Sequence, residues 1–374
     1  MPPTDASGAG VRPVLPVADI PFSSNAIKLS GRQWAAAAAF AVTVAWLAPA
    51  GWMRVEKFAP GPDYRLPYGQ GSDYWAFERW CAAAAGKCDT VVIGDSFVWG
   101  QYVAGDQTLS HWLNALVGSE RYANLGLDGL HPAALAGLLE YHGRAIRGKN
   151  VILHLNPLWM SSAKHDLTEE EESRFNHPEL VPQFFPRIPV YREKVSRRIG
   201  IAIERNLPFI GWTRHLQAVY FDGMDIPAWT LDHPWRFTPV AVGPIAGETA
   251  PGRSPVSWTA RGLEKQDLPW VGLDASLQWR FFRRSVGILK SRGNRVIVLV
   301  GPFNEHMLEG ASRRTYGGIK SGMERWLRET GTDYCAPPAL PSGLYADASH
   351  PLAPGYAAIA RQLFRKCAST QAGK

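Results

Sequence analysis

Three polar side chains, widely separated in the chain, are of the types that together activate a hydroxyl group. Ser96 closes the triplet Gly94-Asp95-Ser96, directly after the apolar run Thr90-Val91-Val92-Ile93. Asp347 and His350 stand near the other end, in Asp347-Ala348-Ser349-His350-Pro351. A serine hydroxyl is a weak nucleophile at neutral pH. It needs a base to take its proton and a third group to orient that base. An imidazole with an ordinary pKa of about 6.5 suits the first role, and a carboxylate suits the second. The chemistry implied is attack of Ser96 on an acyl carbonyl, with His350 moving the proton and Asp347 fixing the imidazole. That makes a serine-dependent acyl hydrolase or acyltransferase the first expectation.

The elements needed to bring these residues together are legible as a strand–helix rhythm. Thr90–Ile93 reads as a buried strand, and a serine in the turn after it can point its own N–H at a developing oxyanion. Leu109, Trp112, Leu113 and Leu116 then fall on one helical face. Tyr122–Leu125 reads as a second strand, and Pro132 opens a helix through Leu139. Val151–Leu155 is a third strand, residues 274–292 are helical, and Arg295–Val300 is a fourth strand. Helices at about Tyr316–Arg328 and Pro354–Lys366 follow. Continuous apolar strands alternating with helices predict an α/β fold: a three-layer parallel sheet with helices on both faces. Reactive loops then lie at the carboxyl ends of the strands.

Residues 157–273 break the rhythm. They are rich in Pro, Trp, Phe and Arg, and read as a large insertion over the strand ends, helical in part from Tyr191 to Arg205. The acidic run Glu169–Glu172 reads as a solvated first helical turn rather than a metal site. Neither metal nor cofactor is expected.

The 374 residues suffice for one large domain, and 46% hydrophobic with 20% charged residues is ordinary for a globular chain. A net charge of +7 spread without a dense basic block argues against nucleic acid as a partner. Arg32 and Arg54 bracket an uncharged stretch, Gln33–Met53, long enough to span a bilayer. Trp34, Trp46 and Trp52 lie near its ends, where indoles favour the interface. Ala48-Pro49-Ala50 resembles a signal-peptide cleavage site, but the long leader before it favours an uncleaved anchor. The organisation expected is therefore a disordered cytoplasmic tail over 1–32, a transmembrane anchor over 33–53, a connector over 54–89 and a catalytic domain over 90–374. Four cysteines in two local pairs, Cys81 with Cys88 and Cys335 with Cys367, suggest disulfides in an oxidising compartment.

Gly94-Asp95-Ser96 with Asp347-x-x-His350 resembles the first and last blocks of the SGNH (GDSL-type) hydrolase superfamily, over roughly residues 90–155 and 275–367. Asn124-Leu125-Gly126-Leu127-Asp128-Gly129 resembles the second block, whose last glycine donates its N–H to the oxyanion; this maps to Gly129. The third block departs from the pattern. Where the superfamily has Gly-x-Asn-Asp, this chain has His154-Leu155-Asn156-Pro157-Leu158-Trp159, with Asn156 about two places early and Leu158 at the expected asparagine position. Asn156 remains the expected oxyanion donor, unless only backbone donors are used. Asn-Pro-Leu-Trp, and the later Gly301-Pro302-Phe303-Asn304-Glu305, are similar to membrane-anchored SGNH-like proteins of envelope polysaccharide O-acylation and teichoic-acid D-alanylation. On that resemblance Asn304 is expected at the substrate.

The resemblance implies a single-pass protein of the cytoplasmic membrane with its catalytic domain outside, in the periplasm. With a membrane-bound O-acyltransferase as its partner, it would pass an acyl group from a donor to a polysaccharide, or hydrolyse the ester. The other reading is a non-catalytic glycan- or partner-binding scaffold. Of the remaining histidines, His131 reads as the start of a helix, His154 as a satisfied core residue, and His306 as a candidate substrate contact.

Overall fold

The computed structural model describes residues 29–235 and 256–372; the tail expected over 1–32 thus lies, up to residue 28, outside the described residues. Two compact units divide the chain, the first ending at Ala48 and the second covering Pro49–Lys374. Helix α1 (Gly31–Val55) is long and apolar enough to cross a membrane. The second unit is an α/β fold. Its strands are β1 (Thr90–Gly94), β2 (Tyr122–Gly126), β3 (Asn150–Leu155), β4 (Arg295–Val300) and β5 (Asp333–Cys335). They form one all-parallel sheet in the order β2-β1-β3-β4-β5.

Period-two alternation sends the strand side chains into two separate cores. Val91 and Ile93, Leu153, and Val296 and Val298 face one side. That side is covered by α2 (Tyr74–Lys87), α5 (Pro132–Tyr141), α10 (Leu277–Ser291) and α11 (Gly310–Glu329), through Phe77, Leu138, Phe282 and Met323. Val92, Ile152, Ile297 and Leu299 face the other, against Leu113 of α4 (Leu109–Val117) and Ile359 of α12 (Ala353–Ala372). Burial on both faces explains why these strands read as unbroken apolar runs. From β1 the chain crosses to β2 on one side and then to β3 on the other, so a crevice opens at the carboxyl ends of β1 and β3.

Three expectations change. The connector at 54–89 contains α2, begun by Asp73, whose carboxylate accepts from the Ala76 N–H at 2.9 Å. Cys81 and Cys88 are separate buried thiols. One lies inside α2 and the other at its end, two turns or about 10 Å on, beyond the reach of a disulfide. Burial pushes the Cys81 thiol up to about 12. The side chain of Cys367 lies outside the described residues. Finally, Glu169–Glu172 is irregular chain after the short helix α6 (Ala163–Asp166), not a helical turn. The insertion also carries α7 (Val195–Glu204), α8 (Pro208–Tyr220) and α9 (Ile226–Asp232). Its inner face packs on α5 and α10 through Val181, Ile188 and Tyr191.

Candidate active site

A four-residue helix, α3 (Ser96–Trp99), begins where β1 ends, so Ser96 is its first residue. Asp95 caps it, accepting from the Phe97 N–H at 3.1 Å. The Asp95 carboxylate is buried and takes three further hydrogen bonds from the β3 end: His154 Nδ1 at 3.0 Å, Asn156 Nδ2 at 2.7 Å and Trp159 Nε1 at 2.9 Å. The other ring nitrogen of His154 reaches the Gly301 carbonyl beyond β4 at 3.1 Å. Three strand ends are thereby tied to one carboxylate. Burial alone would raise the Asp95 pKa, but His154 and the hydrogen bonds outweigh it and hold it down at about 2.

The turn is braced from its other side as well. The Arg65 guanidinium, 1% exposed, donates to the carbonyls of Trp99 and Gly100, each at 2.8 Å, and of Val103 at 2.9 Å. The Trp99 carbonyl is left over where α3 stops, and those of Gly100 and Val103 belong to the turn that follows it. Tyr356 of α12 donates to the Phe97 carbonyl at 2.9 Å, and the Asn124 amide to that of Val98 at 2.8 Å.

His350 reaches Ser96 from the loop before α12. Its Nε2 lies 2.8 Å from the Ser96 hydroxyl, and its Nδ1 lies 2.8 and 2.9 Å from the two Asp347 oxygens. With Nδ1–H donating to the carboxylate, Nε2 is left to accept the serine proton. Asp347 also accepts the N–H groups of Ser349 and His350, each at 3.0 Å. Burial pushes its pKa up, but His350 and these donors win and bring it to about 2. For His350, burial disfavours the charged ring; Asp347, with Asp95 and Asp128 behind it, overcomes that and raises the pKa above 6.5.

The sequence-expected residues divide. Ser96, His350 and Asp347 meet. Gly129, at φ 66°, follows β2, and neither its N–H nor that of Ser96 donates to another group among the described residues. Asn156 does not serve as a free donor at the serine: its amide donates to Asp95, and its oxygen accepts the Leu158 N–H at 3.0 Å. Asn304 is fully buried and holds the loop of Asp347 and His350, donating from its backbone to the Ala348 carbonyl at 2.8 Å and from its amide to the Asp347 carbonyl at 3.2 Å. His306 is likewise engaged, with the Leu340 carbonyl at 2.9 Å.

Asn176, in the insertion, was not signalled by any motif. A methyl group on Gly129 would sit 1.9 Å from Asn176 Nδ2, so this amide lies on the glycine α-carbon. The segment is fixed there by two buried histidines. His131 Nε2 reaches the Asn176 carbonyl at 3.0 Å, and His177 Nε2 reaches the Asp128 carbonyl at 2.7 Å. Burial lowers the His131 pKa to about 3, which suits a neutral ring that also caps α5. Around the serine stand Tyr102, edge-on to His350 at 5.7 Å, Arg261 over Tyr102 at 5.1 Å, and Tyr68 beside Trp99 at 5.6 Å.

Comparison of the chain with protein-family models gives no match, and comparison with curated proteins gives none either.

Proposed function

We propose that the chain is a membrane-anchored serine acyl-ester enzyme of the SGNH type. In this reading α1 is a single-pass anchor in the cytoplasmic membrane, and the domain works outside the cytoplasm. Its acyl acceptor is a hydroxyl of an envelope or exported polysaccharide, or water. The observation that carries the reading is the hydrogen-bonded line from the Ser96 hydroxyl through His350 to Asp347. The sheet order, which is flavodoxin-like, and a nucleophile at the carboxyl end of β1 support it. So do the aromatic faces of Tyr68 and Tyr102 and the polar Asp128 and Arg261, which suit a sugar acceptor.

The reaction has two halves. Ser96 Oγ bonds to the acyl carbon of the donor while its proton passes to His350 Nε2. The tetrahedral oxyanion is met by the N–H groups of Ser96 and Gly129. Asn176 Nδ2 joins them, taking the part that Asn156 gives up to Asp95. Collapse breaks the bond to the leaving group, which carries away the proton from His350 and leaves acyl-Ser96. An acceptor hydroxyl then gives its proton to His350 and attacks the same carbon. Ser96 Oγ leaves with that proton, and the ester now sits on the acceptor. With water in the acceptor's place the product is a carboxylic acid.

Fluorophosphonate labelling of the full chain tests the nucleophile. Wild type is labelled, whereas Ser96→Ala is not and His350→Ala is only slowly. Equal labelling of Ser96→Ala would remove the assignment.

A further inference from the structure

The described large apolar side chains that stay exposed outside α1 are concentrated in one stretch of the insertion. Val195, Ile199 and Ile203 are 65%, 48% and 54% exposed and repeat every fourth residue along α7, with Leu207 just beyond its end. That spacing makes one stripe on one helix face. Phe184 and Phe185 lie beside the α7 end, lining a cavity of about 280 Å³ with Arg205, and Leu231 of α9 is 80% exposed. The opposite side of α7 is occupied. Ile201 is buried, Arg197 pairs with Glu179 at 3.0 Å, and Arg198 donates to the Gln183 carbonyl at 2.6 Å. Solvent exposure of so continuous a stripe marks an interaction surface.

Its occupant follows from where the stripe is tied. After α7 the chain turns at once into α8, whose His215 sits between Glu56 at 2.9 Å and Asp73 at 2.7 Å. Glu56 is the first residue after α1, and Trp52 packs against Trp212 and Tyr220 of α8 at 6.1 and 5.7 Å. If α1 crosses a bilayer, Glu56 marks the bilayer surface. The start of α8 lies seven residues before His215, about 10 Å along the helix, so Leu207 is the residue of the stripe nearest that surface. Residues 184–214 carry seven Arg or Lys side chains; Arg192, Arg197 and Arg214 pair with Glu170, Glu179 and Glu204, which leaves Arg187, Lys194, Arg198 and Arg205 with no carboxylate partner among the described residues. An apolar helix face with basic neighbours is the pattern of a helix lying in an anionic interface.

We infer that α7, with Phe184 and Phe185 beside it, docks on the anionic headgroup layer next to the anchor. The insertion thus holds the domain against the membrane. This rests on α1 being a membrane span, and the test separates the two. The full chain is reconstituted in phosphatidylethanolamine–phosphatidylglycerol vesicles with the photoreactive residue p-benzoylphenylalanine at position 40, 116, 199 or 203. Phe40 lies in α1, and Leu116 is an exposed apolar residue of α4, on the other face of the sheet. Lipid adducts are expected at 40, 199 and 203 and not at 116, with fewer at 199 and 203 when phosphatidylglycerol is omitted. Lipid adducts at 40 alone overturn the docking and leave the anchor. Adducts joining two copies of the chain at 199 and 203 also overturn it, in favour of a dimer face. Absence of lipid adducts at all positions overturns anchor and docking together.

Discussion

The proton at His350 sets the pH behaviour. In the proposed mechanism His350 is the base and must be neutral; burial disfavours its charged form, but Asp347, Asp95 and Asp128 raise its pKa above 6.5. The kcat/KM for an ester should therefore rise with pH through an inflection above 6.5 and then level. Asp347, at about 2, stays ionised throughout. Asp347→Asn removes the nearest anion, so the inflection should move to lower pH while the plateau falls about 10⁴-fold. An unmoved inflection would mean that another group titrates. Asn176→Ala should lower kcat about 10²-fold with KM little changed, as for loss of one oxyanion donor. A purely structural Asn176 would instead change stability and leave kcat intact. Ser96, Asp347 and His350 were legible because their roles demand fixed types at short local spacing. Asn176 was not, because it meets Gly129 only through tertiary packing, and the same holds for the hydrogen bond that commits Asn156 to Asp95.

Among the elements, α3 bears the greatest constraint. Four residues cannot satisfy their own ends, and Arg65 supplies the missing donors at its carboxyl end. Arg65→Leu would leave the buried Trp99 and Val103 carbonyls unpartnered, while Gly100 keeps the Val103 N–H at 3.2 Å. It should lower unfolding free energy by at least about 2 kcal/mol and slow acylation by loosening Ser96, measurable by denaturant unfolding and labelling rate. A normal acylation rate in the folded variant would show that the turn holds itself. The long apolar strands and the helices α4, α5 and α10 were readable from periodicity. By contrast, α2 was hidden because the Pro- and Gly-rich chain before it masked its start, and β5 is only three residues long. Arg65 carried no signal, since nothing local distinguishes a buried arginine from a solvated one.

At the scale of the whole molecule, the residue that follows α1 is joined to the insertion by a buried charged cluster. Glu56 also pairs with Arg79 and accepts from Tyr220 at 2.6 Å. Burial works against a charged His215, but Asp73 and Glu56 prevail and raise it to about 9. Because the folded pKa lies above the ordinary 6.5, the stabilisation is complete below about 6.5 and is lost as pH rises through about 9. Glu56, held down at about 2, loses its share only as pH falls towards 2. His215→Leu takes one partner from each carboxylate, leaving Glu56 with Arg79 and Tyr220 and Asp73 with the Ala76 N–H, and should cost about 3 kcal/mol. It should also remove the part of the alkaline fall in thermal midpoint that wild type shows between about pH 6.5 and 9. An unchanged alkaline fall would assign that fall to other groups. The parallel sheet was legible in the strand rhythm. What the insertion contacts was not, because α7, α8 and Glu56 are neighbours only in the fold.

The central claim is a covalent acyl-Ser96. The most direct test is rapid-quench intact-mass measurement of the full chain after mixing with p-nitrophenyl acetate, followed by peptide mapping. One acetyl group should appear on Ser96 in wild type within the first turnover and be absent in Ser96→Ala. Product release with no acetyl on Ser96, or an equal adduct in Ser96→Ala, would contradict the account.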